Sequence, residues 1–347
     1  RDTSVTGVQT CALPISPHGI DFNPGDLLGS KSGELGLRRY LESNGHTFVV
    51  TTSKDGPNSV LEKEIVDADV VISQPFWPAY LTAERIAKAP NLKLALTAGI
   101  GSDHVDLSAA MKHGVTVAEV TFCNSISVAE HVVMQILSLV RNYIPSYQWV
   151  MKGGWNIADC VARSYDVEGM HVGTVAAGRI GLAVLRRLAP FDVHLHYYDR
   201  HRLPEEVENA LNLHWHDTVE DMVKVCDVVT INCPLHPETE HLFDATMLKK
   251  MKRGAYIVNT ARGEVIDEAA LAEALKTGKL AGAGLDVFER EPAVNPDLVG
   301  LPNVILLPHM GSATVEGRNE MGEKVIINIK TFADGHRPPD RVIPAIL

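Results

Sequence analysis

Three short polar segments in the second half of the chain carry residue types that can handle a small charged molecule. Asn259-Thr260-Ala261-Arg262-Gly263 follows an apolar, β-branched run. An arginine in such a turn can fork two parallel hydrogen bonds onto a carboxylate. Pro308-His309-Met310-Gly311-Ser312 follows a second apolar run. Asp286-Val287-Phe288-Glu289-Arg290-Glu291-Pro292 precedes it, with Glu291 18 residues before His309. A carboxylate beside an imidazole favours the protonated ring, so a Glu291–His309 pair could move a proton near neutral pH. Most of the 15 histidines need no such reading. His194 and His196 alternate along one predicted strand, face one side and are assigned no ligand role. His309 stands apart only through its companions.

A fourth segment points to a larger anionic ligand. Ala176-Ala177-Gly178-Arg179-Ile180-Gly181 runs from a predicted strand into a predicted helix and reads as A-x-G-x-x-G. Small residues at Ala176, Gly178 and Gly181 allow a tight turn, a close backbone approach to a pyrophosphate, and close packing of the helix. The helix N-terminus then presents unpaired N–H groups to that anion. The next strand ends in Asp199, where an acid accepts hydrogen bonds from adenosine ribose hydroxyls. An acid there also repels a 2′-phosphate, which favours NAD over NADP; Arg200 and Arg202 soften that preference. Alanine at the first small position departs from the glycine form of the motif.

The elements that must position these segments alternate between short β-branched runs and helical stretches from Leu37 onward. Strands are predicted at 47–51, 70–73, 92–97 and 115–119, with helices at 82–88 and 107–112. A long helix follows at 128–142. A second series of strands is predicted at 171–175, 194–198, 227–231, 255–259, 283–286 and 304–307, with helices at 180–188 and 268–277. One more helix is predicted at 314–333. Strand–helix alternation over this length means parallel sheets with right-handed crossovers, hence an α/β chain of two doubly wound, Rossmann-like units.

Length and composition agree. The chain has 347 residues, enough for about two domains. It is 45% hydrophobic and 22% charged, which allows a substantial core. A formal net charge of −11 argues against a nucleic-acid or anionic-membrane partner, and no apolar run reaches the ~20 residues of a membrane span. Five cysteines without a C-x-x-C pair suggest neither a disulfide framework nor a zinc site, so no metal is expected and a cytoplasmic location is. Residues 1–16 show neither helical nor strand periodicity and are expected to be a non-native leader.

The motifs also carry a family resemblance. Segments 172–181, 259–263, 284–292 and 308–312 resemble the signatures of the D-2-hydroxyacid dehydrogenase superfamily. Within it, residues 17–263 closely resemble bacterial NAD-dependent formate dehydrogenases. The blocks that carry this include Gln74-Pro75-Phe76-Trp77-Pro78-Ala79-Tyr80, Thr121-Phe122-Cys123-Asn124-Ser125 and Asn232-Cys233-Pro234-Leu235-His236-Pro237-Glu238. The resemblance implies an NAD domain (124–310) inserted into a split substrate domain (17–123 and 311–347). It also implies a homodimer, with region 102–150 making much of the contact. By position, Ile100 (through its backbone), Asn124 and Arg262 would hold formate beside His309, and Pro75 and Phe76 would wall the pocket. Arg179, Ile180, Asp199, Pro234, Leu235, His236, Pro237, Glu238, Thr260, Asp286, His309, Met310, Gly311 and Ser312 would line NAD. The activity implied is oxidation of formate to CO2 by hydride transfer.

After Gly263 the resemblance changes. Glu291 stands where formate dehydrogenases have a glutamine partnering the histidine, and the segment around His309 resembles glyoxylate and hydroxypyruvate reductases. A neutral amide gives a histidine no charge stabilisation, whereas an ionised Glu291 favours imidazolium. Reduction of a 2-keto acid needs that proton and formate oxidation does not. The alternative activity is therefore a D-2-hydroxyacid dehydrogenase or glyoxylate/hydroxypyruvate reductase using a His–Glu acid–base pair.

Overall fold

The computed structural model describes residues 37–75 and 78–342. The expected leader, residues 17–36, Phe76 and residues 343–347 lie outside the described residues. Contacts divide the chain into two compact units, one running to Asn124 and resuming at Ala313, the other spanning Ser125–Ser312.

In unit 1, strands β1 (Val70–Ser73), β2 (Leu94–Thr97) and β3 (Thr116–Glu119) pair in parallel in that order. Helices α1 (Leu37–Ser43), α2 (Val60–Glu64), α3 (Ala83–Ala87) and α4 (Leu107–Lys112) pack around them. Ser59, Thr82 and Asp106 each accept a backbone N–H at the start of α2, α3 and α4, which sets where those helices begin. β1 and β2 are buried at every position, as a sheet covered on both faces requires. The long C-terminal helix of the chain (Val315–Ala333) returns to one face of this sheet. Its Met321, Val325 and Ile329 recur every four residues and bury with Leu37, Ile72 and Leu96. Each such side chain contributes about 1.5–3 kcal/mol. The strand expected at 47–51 does not form, and within it only Val50 takes part in a bridge; Phe48 is buried in the same core cluster.

Unit 2 holds a seven-stranded parallel sheet. Its strands are β4 (His171–Val175), β5 (His194–Tyr198), β6 (Leu213–Trp215), β7 (Val228–Ile231), β8 (Ala255–Asn259), β9 (Leu280–Leu285) and β10 (Val304–Leu306). The spatial order is β10-β9-β8-β7-β4-β5-β6, so the direction of winding reverses between β4 and β7. Ligands of open α/β sheets bind at that reversal, beyond the strand C-termini. The helices are α5 (Ser125–Val140), α6 (Tyr143–Met151), α7 (Ile157–Ala162), α8 (Arg179–Leu188), α9 (Glu205–Leu211), α10 (Val219–Val225), α11 (Ala245–Lys250) and α12 (Glu268–Lys276). The C-terminal helix of unit 1 is then α13. Two apolar clusters fill the two faces, one beneath α5 and α8 and the other beneath α10, α11 and α12.

Candidate active site

The turn after β4 is shaped by steric necessity. Ala176 sits at φ 70°, in the left-handed region, which explains why glycine is the usual choice there. Its N–H donates to the Tyr198 carbonyl (2.8 Å), and its carbonyl accepts from Thr174 Oγ1 (2.8 Å). Asn232 Nδ2 donates in turn to Thr174 Oγ1 (2.9 Å). A Cβ on Gly181 would stand 2.1 Å from the Ala176 carbonyl oxygen, so only glycine fits. Gly178 begins α8, with nothing within 4 Å of where its Cβ would be. That open space lies at the N-terminus of a ten-residue helix. Asp199 closes the turn, accepting Ala177 N–H (2.9 Å) and His201 N–H (3.0 Å).

Two buried polar atoms near this end of the sheet, Thr260 Oγ1 and His236 Nε2, have no hydrogen-bond partner among the described residues. Buried polar groups are normally paired, so both atoms are left able to bond to a polar ligand. These residues fit a dinucleotide. Arg202 is engaged with Glu208 (2.8 Å) and lies 5.1 Å over Trp215, which removes one of the two cations that would welcome a 2′-phosphate. The same pairing holds the Glu208 carboxyl below its usual range.

Arg262 is presented by a turn that Asn259 braces at both ends. Asn259 Oδ1 accepts Ala261 N–H (3.0 Å) and Nδ2 donates to the Arg262 carbonyl (2.8 Å). Gly263 then passes so close to the next loop that a Cβ would meet Phe288 C at 1.9 Å. The Arg262 turn and the Glu291 loop are thus packed backbone to backbone. Glu291 Oε1 accepts Phe288 N–H (3.0 Å), and Oε2 lies 2.8 Å from His309 Nδ1, so the predicted pair forms. His309 sits at φ 51°. Its N–H donates to the Asp286 carbonyl (2.8 Å), and the buried Asp286 carboxylate accepts from Met310 N (2.9 Å) and Gly311 N (2.7 Å). The sequence marks Asp286 only as a cofactor-lining residue. Its role as the anchor of 309–311 needs contacts 24 and 25 residues apart, for which the sequence carries no local signal.

In unit 1, Pro75 packs on Gly99, whose φ is 154° and whose Cβ would meet Pro75 Cγ at 2.6 Å. Glu119, unmarked by the sequence reading, orders the loop that carries Ile100. It accepts Gly101 N–H (2.9 Å) and Ser102 Oγ–H (3.0 Å). Asn124 is 7% exposed, and its Oδ1 has no hydrogen-bond partner. Leu235 is partly buried, and Pro234, Pro237 and Glu238 are exposed on the loop after β7. Among the described residues no group of side chains could hold a metal ion, and no helix is long and apolar enough to cross a membrane.

A parallel sheet with this turn, an acid at the end of the next strand and an Arg/Glu/His set beyond β8–β10 is that of an NAD-dependent oxidoreductase. Residues 133–311 match the family model for the NAD-binding domain of D-isomer specific 2-hydroxyacid dehydrogenases. Over 324 residues the chain is 69% identical to a formate dehydrogenase of Pseudomonas sp. (strain 101), covering 92% of this chain and 80% of that protein. A solved formate dehydrogenase from Granulicella m. superposes with a TM-score of 0.90 at 53% identity, covering 98% of both chains. An NAD-dependent formate dehydrogenase from Staphylococcus aureus, solved with NAD, does so with a TM-score of 0.85 at 35% identity, covering 97% of this chain and 98% of that one. The chain belongs to the D-isomer specific 2-hydroxyacid dehydrogenases, in the group of the formate dehydrogenases.

Proposed function

We propose that the chain oxidises formate to CO2, passing a hydride to NAD. The observation that carries this reading is the likeness to formate dehydrogenases along nearly the whole chain. NAD, when bound, supplies the hydride acceptor. Everything else asked of the protein is positional or electrostatic. Arg262, stiffened by Asn259, would hold a carboxylate by two hydrogen bonds. In unit 1 the Ile100 backbone, ordered through Glu119, and the Asn124 amide would do the same, and Pro75 would exclude water. Formate leaves as CO2 once its C–H has gone as hydride, so no proton is abstracted. On this reading unit 1 is the substrate domain and unit 2 the NAD domain.

One observation favours a second reading. His309 Nδ1 lies 2.8 Å from a carboxylate rather than an amide, which suits delivery of a proton to a 2-keto acid. The two are separated by measuring NADH formation from formate beside NADH consumption with glyoxylate and with hydroxypyruvate. Formate-linked NADH is the expected result, and its absence would overturn the first reading.

The chain is also proposed to act as a cytoplasmic homodimer. Cys123, Cys160, Cys226 and Cys233 are free thiols, which suits a reducing compartment. Helices α6 and α7 and their connection expose Tyr143, Trp149, Met151, Trp155 (87% exposed), Ile157 and Val161. An apolar surface of that kind marks an association site. A cavity of about 560 Å³ beside α6, lined by Leu139, Ile144, Tyr256 and Val304, offers room for side chains of a second copy. Sedimentation at micromolar concentration should give twice the chain mass.

A further inference from the structure

Helix α5 is buried along most of its length, and past its first turn two of its buried residues are polar, His131 (8% exposed) and Gln135 (0%), one turn apart. Leaving such a group unpaired costs roughly 1–3 kcal/mol, so the position of His131 calls for a reason. Its Nε2 lies 3.3 Å from Asp286 Oδ1, outside hydrogen-bond geometry, and has no hydrogen-bond partner among the described residues. Asp286 in turn receives three consecutive backbone N–H groups, those of His309, Met310 and Gly311. These bonds keep His309 in a left-handed conformation, which costs a non-glycine residue about 1–2 kcal/mol. Space here is tight. A Cβ on Gly311 would stand 3.0 Å from Asp286 Oδ2 and 3.4 Å from His131 Cδ2.

We propose that His131 is a positioning residue for the reaction. Its Nε2, 3.3 Å from Asp286 Oδ1, keeps that carboxylate turned toward the N–H groups of Met310 and Gly311. The His309 backbone is thereby held in the conformation that faces its ring toward Glu291. Arg262 is braced separately, by Asn259, so His131 acts on the His309 side of the site and not on the anion-holding side. The kinetic part of this inference rests on the formate reading above; the binding part does not.

Two variants separate hydrogen bonding from packing. His131→Leu fills the space without a donor, and His131→Gln keeps a donor. In His131→Leu the kcat for formate should fall about tenfold with the formate KM within about twofold of wild type. NADH binding, followed by fluorescence, should weaken about fivefold, because residues 309–312 lie at the dinucleotide end of the sheet. His131→Gln should keep all three within about threefold. A His131→Leu protein that behaves as wild type, a His131→Gln protein damaged as badly as His131→Leu, or a raised KM with unchanged kcat would overturn the proposal. Should His131→Leu not fold by circular dichroism, His131→Asn, whose amide is shorter, should show the same tenfold loss, and wild-type kcat there would overturn it. If the wild-type chain turns over no formate, the functional reading falls while NADH binding still decides the role of His131.

Discussion

Unit 2 contains two histidine arrangements that differ in the partner each ring was given. At one end of the sheet His309 Nδ1 lies 2.8 Å from the Glu291 carboxylate. Along β4, β5 and β6 and just after β6, His171, His194, His196, His214 and His216 gather with their rings in contact. His171 Nδ1 and His196 Nε2 are 2.8 Å apart, and His196 Nδ1 and His216 Nε2 are 3.0 Å apart. Each contact needs one proton and one lone pair, so a chain of neutral rings satisfies all of them. Burial first, and then the neighbouring rings, push His196 down to about 3. The same residue type thus serves opposite ends. His309 is given a carboxylate acceptor, whereas imidazole partners make a polar core that resists a proton. Abundance of histidine says nothing about chemistry; the partner decides.

The sharpest ways to test that contrast begin at the functional end. Arg262→Ala removes the proposed carboxylate fork, and kcat/KM for formate should drop by a factor on the order of 10³ with NADH binding retained. Glu291→Gln turns the charged partner into a neutral one. Glyoxylate reduction, if the wild type supports any, should fall about 100-fold while formate oxidation holds or rises. A parallel loss of both activities would show that the carboxylate serves hydride transfer itself, and the contrast between the two histidine groups would lose its meaning.

The other end predicts a dependence of stability on pH. The folded-state value of His196 lies below the ordinary 6.5, so its stabilising contribution is complete above pH 6.5 and disappears as pH falls toward 3. His171 and His216 are lowered in the same direction, chiefly by burial. Lys252 reinforces this at His171, while Asp227 opposes it there and Asp217 and Asp221 oppose it at His216. The thermal midpoint should fall by several degrees between pH 7 and about pH 5, and His196→Gln should flatten that slope. The smallest effect is expected from His194→Ala. That ring is exposed and only stacks on His171, so stability at pH 7 should change by less than about 0.5 kcal/mol and activity by less than about twofold.

Much of this molecule was legible beforehand because its signals are local. The runs at 70–73, 171–175, 194–198 and 255–259 coincide with β1, β4, β5 and β8, since short runs rich in β-branched and aromatic residues favour strands. β6 escaped because three residues, Leu213–Trp215, are too few to show a period. α6 and α7 escaped because they bury no residue fully, so no apolar stripe marks them. The Glu291–His309 pair was legible as two motifs beyond strand ends. The anchoring role of Asp286 was not, and neither was the engagement of Arg202 by Glu208, since neither pairing repeats with any period.

The sequence by itself determined the turn of small residues, the acid at 199, the Arg, Glu and His motifs, and the parallel α/β plan. These depend on steric limits and apolar periods that operate within a few residues. The tertiary structure alone decided which partner each ionisable group received. It placed Asp286 under three backbone N–H groups, brought His131 to 3.3 Å from its carboxylate, turned Arg202 toward Glu208, and lined three imidazoles into one chain. The physical reason is that charge and hydrogen bonding act through distance in space, and residues far apart in sequence become neighbours only when the sheet has formed.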